Sequence, residues 1–132
     1  MLRYGRMERL NLHRIIESDN LIALEKLMPE YEGKIDVMPI DPPYNTAVSY
    51  IGYQDSGYEN GWGAFMRPRL QLAYRLLSER GVMFIHIDEN EFFTLWALCS
   101  EIFGTENLMS MIWKKTNGHF DRNRKEKPSE SG

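Results

Sequence analysis

Two consecutive prolines, Pro42 and Pro43, place the strongest limit on what this chain can fold into. They follow a mostly apolar run, Ile35–Ile40, whose length and composition predict a buried β-strand. Because proline has a fixed φ and no backbone N–H, the strand must end at Asp41 and a rigid loop must follow. Open α/β sheets bind ligands at the carboxyl ends of their strands, so this loop is the first candidate for a functional site.

The loop Asp41-Pro42-Pro43-Tyr44 suits a planar ligand that donates hydrogen bonds, such as the exocyclic amine of a nucleobase. The Asp41 carboxylate and the Pro42 carbonyl would hold the two amine hydrogens and favour a more tetrahedral, more reactive nitrogen. Tyr44 would stack on a base that has been flipped out of a duplex. The alternative is an ordinary proline-rich turn in which Asp41 is a structural cap.

These four residues resemble the catalytic motif of the amino-group DNA methyltransferases, which use S-adenosylmethionine, and an initial Asp is typical of the adenine-N6 enzymes. Further blocks extend the resemblance over roughly residues 10–117: Ser18-Asp19-Asn20-Leu21, 65–70, 81–91 and 112–115. Together they are similar to the modification subunits of type III restriction systems, which belong to the permuted β group. The chain thus resembles the N-terminal, catalytic-motif part of such an enzyme.

The resemblance implies roles for the matched residues. The catalytic residues would be those of the motif: Asp41, Pro42, Pro43 and Tyr44. The cofactor-binding residues would border the pocket for S-adenosylmethionine: Asp19, Asn20, Asp41 and Trp62. The DNA-binding residues would lead into the recognition region: Lys114, Lys115 and Asn117. From the residues alone, Asp19 fits a plain helix N-cap equally well, and Trp62 fits the core.

The alternation of strand and helix patterns predicts an α/β fold with a mostly parallel, Rossmann-like sheet and helices on both faces. The predicted strands are residues 13–17, Ile35–Ile40, 82–87 and 108–113. Gly81 is predicted to end the helix that precedes the third of these strands. His86, within that strand, is interpreted as a core histidine rather than a ligand.

Composition restricts the chain to one globular domain of ordinary type, with 132 residues, 42% hydrophobic and 27% charged. No signal peptide and no membrane-spanning run is present in the sequence, so we expect a cytoplasmic protein. The single cysteine, Cys99, excludes an internal disulfide and a cysteine-based metal cluster, and we expect no metal. Cys99 lies on an apolar helical stripe and is interpreted as an inert core thiol.

We expect residues 1–117 to form a partial catalytic domain and residues 118–132 to be a basic polar tail that begins a truncated recognition region. No glycine-rich donor turn precedes Asp41, and in the resembling family that turn lies towards the C-terminus. The chain is therefore expected to be part of a larger enzyme. Residues 114–127 carry six basic and two acidic side chains, which suits either phosphate contact or a solvated tail.

The expected partner is double-stranded DNA, and a second copy of the chain or a restriction subunit are further candidates. Two other functions remain open from the sequence. One is an RNA or protein-amide methyltransferase, and the other is a non-catalytic remnant that binds a partner subunit or DNA.

Overall fold

The structure is a computed structural model that describes residues 13–46 and 57–112. The elements follow in chain order: α1 (Asn20–Tyr31), β1 (Ile35–Ile40), α2 (Trp62–Leu76), β2 (Leu77–Ile85), α3 (Phe92–Phe103) and a 3₁₀ turn (Thr105–Asn107). The strands β1 and β2 pair in parallel. The predicted α/β class is confirmed. None of the described helices has the length and hydropathy needed to cross a membrane.

The two faces of the β1–β2 sheet have different surroundings. Alternate side chains of both strands pack against the core formed by α2 and α3: Ile40, Met83 and Ile85. The apolar side chains of the opposite face remain about half exposed: Val37, Val82 and Phe84. Within the described ranges, helices therefore cover one face of this sheet.

The core is built mainly by α2, whose apolar residues recur at helical spacing. Its buried residues are Trp62, Met66, Leu70, Ala73 and Leu76, and α3 adds Leu95, Leu98 and Cys99. Leu70 and Leu76 are the most completely buried, each 1% exposed. The apolar spacing of the sequence predicts these buried residues with the exception of Leu98, because a helix that packs on one side must place its apolar residues on that side.

Gly81 does not end α2, so that prediction was wrong. The helix ends at Leu76, and Gly81 lies within β2 at an irregularity in the pairing. Ile35 pairs with Leu77 but Val37 pairs with Val82, so extra residues of β2 bulge out between the two pairs. A Cβ at position 81 would lie 2.6 Å from the carbonyl oxygen of Ile35. Glycine is thus required by the close approach of two strands.

The segments 13–17 and 108–112 were predicted as strands, and the structure shows neither as a strand. Among the described residues the sheet has two strands, β1 and β2, which pair with each other. A strand forms only where its backbone groups find a partner strand, and within the described residues neither segment pairs with one. The large apolar residues of these segments are exposed: Ile15, Ile16, Met109, Met111 and Ile112. Trp113 lies outside the described residues.

Replacing Gly81 tests the strand contact. We expect Gly81→Ala and Gly81→Asn each to lower the free energy of unfolding by about 1–3 kcal/mol, because either side chain overpacks the space beside Ile35. Asn is well tolerated where glycine ends a helix, so a helix-end role would make Gly81→Asn nearly neutral. Urea unfolding would measure both, with Arg80→Ala at the exposed neighbouring position as the control.

The reactivity of Cys99 tests the packing of α3. Burial raises the pKa of the Cys99 thiol from 9.0 to about 11. Since the thiolate is the nucleophile, we expect the folded chain at pH 8 to react with a disulfide reagent about 100-fold more slowly than the urea-unfolded chain. The signal is unambiguous because the sequence has one cysteine. Equally fast labelling of the folded chain would show that this face of α3 is open to solvent.

Candidate active site

Residues 41–46 form a loop after β1, the Asp41 loop, which meets the end of β2 at the carboxyl edge of the sheet. The backbone N–H of His86 donates to the carbonyl of Ile40 at 3.0 Å, which carries the parallel pairing one residue beyond β2. As a result, the side chains of Asp41, Tyr44 and His86 lie together. The Tyr44 hydroxyl is 2.7 Å from Asp41 Oδ1 and 2.5 Å from His86 Nδ1.

The interpretation of His86 as a core histidine was wrong, since its side chain is 66% exposed. Side chains along a strand alternate between its two faces, so His86 lies on the same face as Val82 and Phe84. All three side chains are exposed. The signal that could have identified His86 was its place at the carboxyl end of a strand expected to run parallel to β1. A polar residue there lies where parallel sheets bind ligands.

Two side chains from other parts of the chain hold the loop in place. The indole N–H of Trp62, a residue that is 3% exposed, donates to the carbonyl of Pro43 at 2.7 Å. Asn45 has a left-handed backbone with φ of 58°, and its amide donates to Glu91 Oε1 at 2.6 Å. The loop is therefore tied to the start of α2 and to the residue before α3.

A cavity of about 740 Å³ opens beside the loop. Three of the four residues predicted to bind the cofactor line it: Asp19, Asn20 and Asp41. Pro42 and Pro43 also contribute to the wall. The fourth residue, Trp62, lies beneath the loop and supports it through the Pro43 carbonyl. The structure thus brings the Asp41 loop and the residues around Asp19 to one concave site.

Asp19 is a helix cap as well as part of the cavity wall. Its Oδ1 accepts the backbone N–H of Leu21 at 2.9 Å, which caps α1 as the sequence allowed. Its Oδ2 lies 3.2 Å from a guanidinium nitrogen of Arg69. The carboxylate is therefore held in one orientation at the edge of the cavity.

Arg69 is a site residue that the sequence reasoning missed. Its side chain is 12% exposed, its guanidinium lies 3.7 Å from the ring centroid of Phe65, and its Nε donates to Asn20 Oδ1 at 2.7 Å. A nearly buried cation needs such partners, because an unpaired charge would be costly to desolvate. Arg69 thereby joins α2 to the N-cap residue and the first residue of α1. No local pattern marked it, because its partners lie far away in the sequence.

The predicted DNA-binding residues, Lys114, Lys115 and Asn117, lie outside the described residues. Within the part of the chain that is described, no group of three or more His, Cys, Asp or Glu side chains could hold a metal ion.

Comparison with known families matches residues 35–131 to the DNA methylases, the N6 and N4 methyltransferases. The matched segment begins at β1 and includes the whole Asp41 loop. The chain belongs to the DNA methylase family. A member of this family transfers a methyl group, so a methyl donor is part of its chemistry.

Two relatives of this chain are named as Mod subunits of type III restriction-modification enzymes. It is 38% identical over 102 residues to the probable type III restriction-modification enzyme HindVI Mod subunit of Haemophilus influenzae, covering 77% of the chain and 14% of that protein. It is 31% identical over 142 residues to the EcoP15I Mod subunit of Escherichia coli, covering 84% of the chain and 22% of that protein.

A third relative is the type II methyltransferase M.KpnI of Klebsiella pneumoniae, 38% identical over 103 residues, covering 71% of the chain and 24% of that protein. The chain therefore spans between 14% and 24% of the length of these three curated relatives.

Replacing Trp62 tests whether its hydrogen bond to Pro43 supports the Asp41 loop. We expect Trp62→Phe to lower the free energy of unfolding by about 1–3 kcal/mol, since the ring is kept but the Pro43 carbonyl loses its donor. Trp96→Phe, at a half-buried position on α3, is the matched control and should cost less. Urea unfolding measures both, and faster amide exchange at Tyr44 in Trp62→Phe would show that the loop has loosened. Equal losses in the two variants would contradict the supporting role.

Proposed function

We propose that this chain is the N-terminal, catalytic-motif part of a site-specific DNA adenine-N6 methyltransferase of the restriction-modification type. The observation that carries the proposal is the Asp41 loop, held rigidly at the carboxyl end of β1 beside the cavity that Asp41 shares with Asp19 and Asn20. The names of the relatives, modification subunits and type II methyltransferases, support the same class of reaction.

The loop supplies what an exocyclic amine requires. The amine of adenine is a poor nucleophile because its lone pair is delocalised into the ring. The Asp41 carboxylate and the Pro42 carbonyl accept its two hydrogens, which favours a tetrahedral nitrogen with an available lone pair. As the new N–C bond forms, the bond between the methyl carbon and the donor's sulfur would break, with its electron pair leaving on the sulfur. Positive charge develops on the nitrogen, where the carboxylate stabilises it, and the surplus amine proton is then lost to solvent. The ring of Tyr44 stacks on the flipped base.

The cavity residues fit S-adenosylmethionine as the methyl donor. The volume of about 740 Å³ lies within the range of about 300–1,000 Å³ that is typical of small-molecule sites. Asp19 and Asn20 offer acceptors for hydroxyl and amino hydrogens, and Tyr58 and Phe65 add aromatic surface to the wall. When bound, S-adenosylmethionine supplies an electrophilic methyl group.

Double-stranded DNA is the proposed substrate. The proposed location is the compartment that contains the DNA, which in bacteria is the cytoplasm. Lys114, Lys115 and Asn117 are proposed to contact DNA, where lysine charges would contribute a salt-dependent affinity for phosphates. A restriction subunit or a second copy of the chain is the proposed protein partner. Neither a metal nor a membrane has a part in this proposal.

Two aspartates near opposite ends of β1 allow a matched test. Asp41 lies directly after β1, and Asp36 lies near its other end, where it accepts a hydrogen bond from Ser78. In the complete enzyme, we expect Asp41→Asn to lower the rate of methyl transfer to duplex DNA by about 100-fold or more, because one acceptor of the amine is lost. Asp36→Asn should leave the rate unchanged. Incorporation of labelled methyl groups measures transfer, and fluorescence anisotropy checks that Asp41→Asn still binds DNA.

Methyl transfer by Asp41→Asn at the wild-type rate would refute the assignment. Transfer by the wild-type enzyme to ribosomal RNA but not to duplex DNA would favour an RNA methyltransferase. DNA binding without any transfer by the wild-type enzyme would favour a non-catalytic role.

A further inference from the structure

We infer that His86 is a positioning residue of the methylation site, which holds the Tyr44 hydroxyl so that the phenolic hydrogen points at Asp41. This inference rests on the proposed function for its catalytic consequence. The arrangement of hydrogens can be tested without any assay of activity.

The direction of the hydrogen bonds follows from counting hydrogens. The Tyr44 hydroxyl has one hydrogen, and within the described part of the chain two atoms lie at hydrogen-bond distance from it: Asp41 Oδ1 at 2.7 Å and His86 Nδ1 at 2.5 Å. It can donate to only one of them, so the other neighbour must donate to the phenol oxygen. A carboxylate only accepts. Nδ1 of His86 must therefore carry a hydrogen and donate to Tyr44, and Tyr44 must donate to Asp41.

His86 acts on Asp41 through Tyr44. The distance from His86 Nδ1 to Asp41 Oδ1 is 3.6 Å, which is too long for a direct hydrogen bond. His86 is itself well placed, since its backbone N–H is bonded to Ile40 at the end of the sheet. The chain of bonds therefore transmits the fixed position of the strand to the two side chains of the loop.

Two consequences concern the reaction. The phenol takes one of the two acceptor sites of Asp41 Oδ1, so Oδ2 is the oxygen better able to accept an amine hydrogen, and the bond favours one rotation of the carboxylate. The rings of Tyr44 and His86 also meet edge to face, with centroids 5.9 Å apart and planes inclined by 61°. This contact limits the tilt of the ring that stacks on the base. Positioning of this kind affects the rate of transfer more than the affinity for DNA.

The first experiment is a long-range ¹⁵N–¹H NMR spectrum of the histidine rings in the 132-residue chain. It is recorded at about pH 8.5, about two units above the ordinary histidine pKa. We expect a hydrogen on Nδ1 of His86, whereas free histidine favours the hydrogen on Nε2. His13, which is exposed, serves as the internal reference. Spectra of His86→Asn and His13→Asn assign the signals. An Nδ1 of His86 without a hydrogen overturns the inference.

The second experiment uses the complete enzyme and asks whether a side chain that places a nitrogen where Nδ1 of His86 lies restores the rate of methyl transfer. The amide nitrogen of Asn can occupy the place of Nδ1, whereas that of Gln resembles Nε2. We expect His86→Ala and His86→Gln to lower kcat about 10-fold, with the Kd for DNA within about 2-fold, and His86→Asn to recover most of the rate. His13→Ala is the matched control and should keep the wild-type rate.

A double variant tests whether His86 acts through Tyr44. In a Tyr44→Phe background the phenol is absent, so we expect His86→Ala to have no additional effect on kcat. Additive losses, or equal rates for His86→Ala and His86→Asn, overturn the inference. A wild-type enzyme that does not methylate DNA refutes the proposed function instead, and the NMR spectrum still decides the position of the hydrogen.

Discussion

The parallel pairing of β1 with β2 is the interaction on which the rest of this structure depends. Parallel strands end at the same edge of a sheet, so the pairing brings residues that follow β1 next to residues that follow β2. The bond from His86 to Ile40 is the last contact of that ladder and lies directly beside the Asp41 loop. A shift of one residue would turn every side chain of one strand to the other face. Gly81 belongs to this constraint, because its missing side chain lets the bulge of β2 pass close to Ile35.

The second feature of the site is that α2 supports both the Asp41 loop and the cavity wall at Asp19 and Asn20. Trp62, in the first turn, holds the Pro43 carbonyl, and Arg69, two turns later, holds Asp19 and Asn20. The buried stripe between them packs into the core, so the helix fixes the distance between the loop and the opposite cavity wall. Acceptors that are held before the substrate arrives stabilise developing charge at little reorganisation cost. The stability of the core and the geometry of the site are therefore linked through one helix.

The features that follow from local pattern were predicted well. The strand Ile35–Ile40 has its predicted bounds, and the apolar stripes of α2 and α3 form the core. Some of the predictions that depended on neighbours in space were wrong. Residues 13–17 and 108–112 have strand-like composition, but a strand also needs a partner with free backbone groups. His86 looked buried because its neighbours in the sequence are apolar, yet it lies at the exposed end of the strand.

The sequence by itself determined where β1 ends and which chemical groups follow it, because two prolines restrict the backbone wherever they occur. It also determined the resemblance to the DNA methylases, which depends on the order of residues along the chain. Only the tertiary structure decided which side chains surround Asp41. Tyr44 and His86 are 42 residues apart, and Asp19 and Arg69 are 50 residues apart. Such contacts depend on strand register and helix packing, and no local pattern in a single sequence specifies either of them.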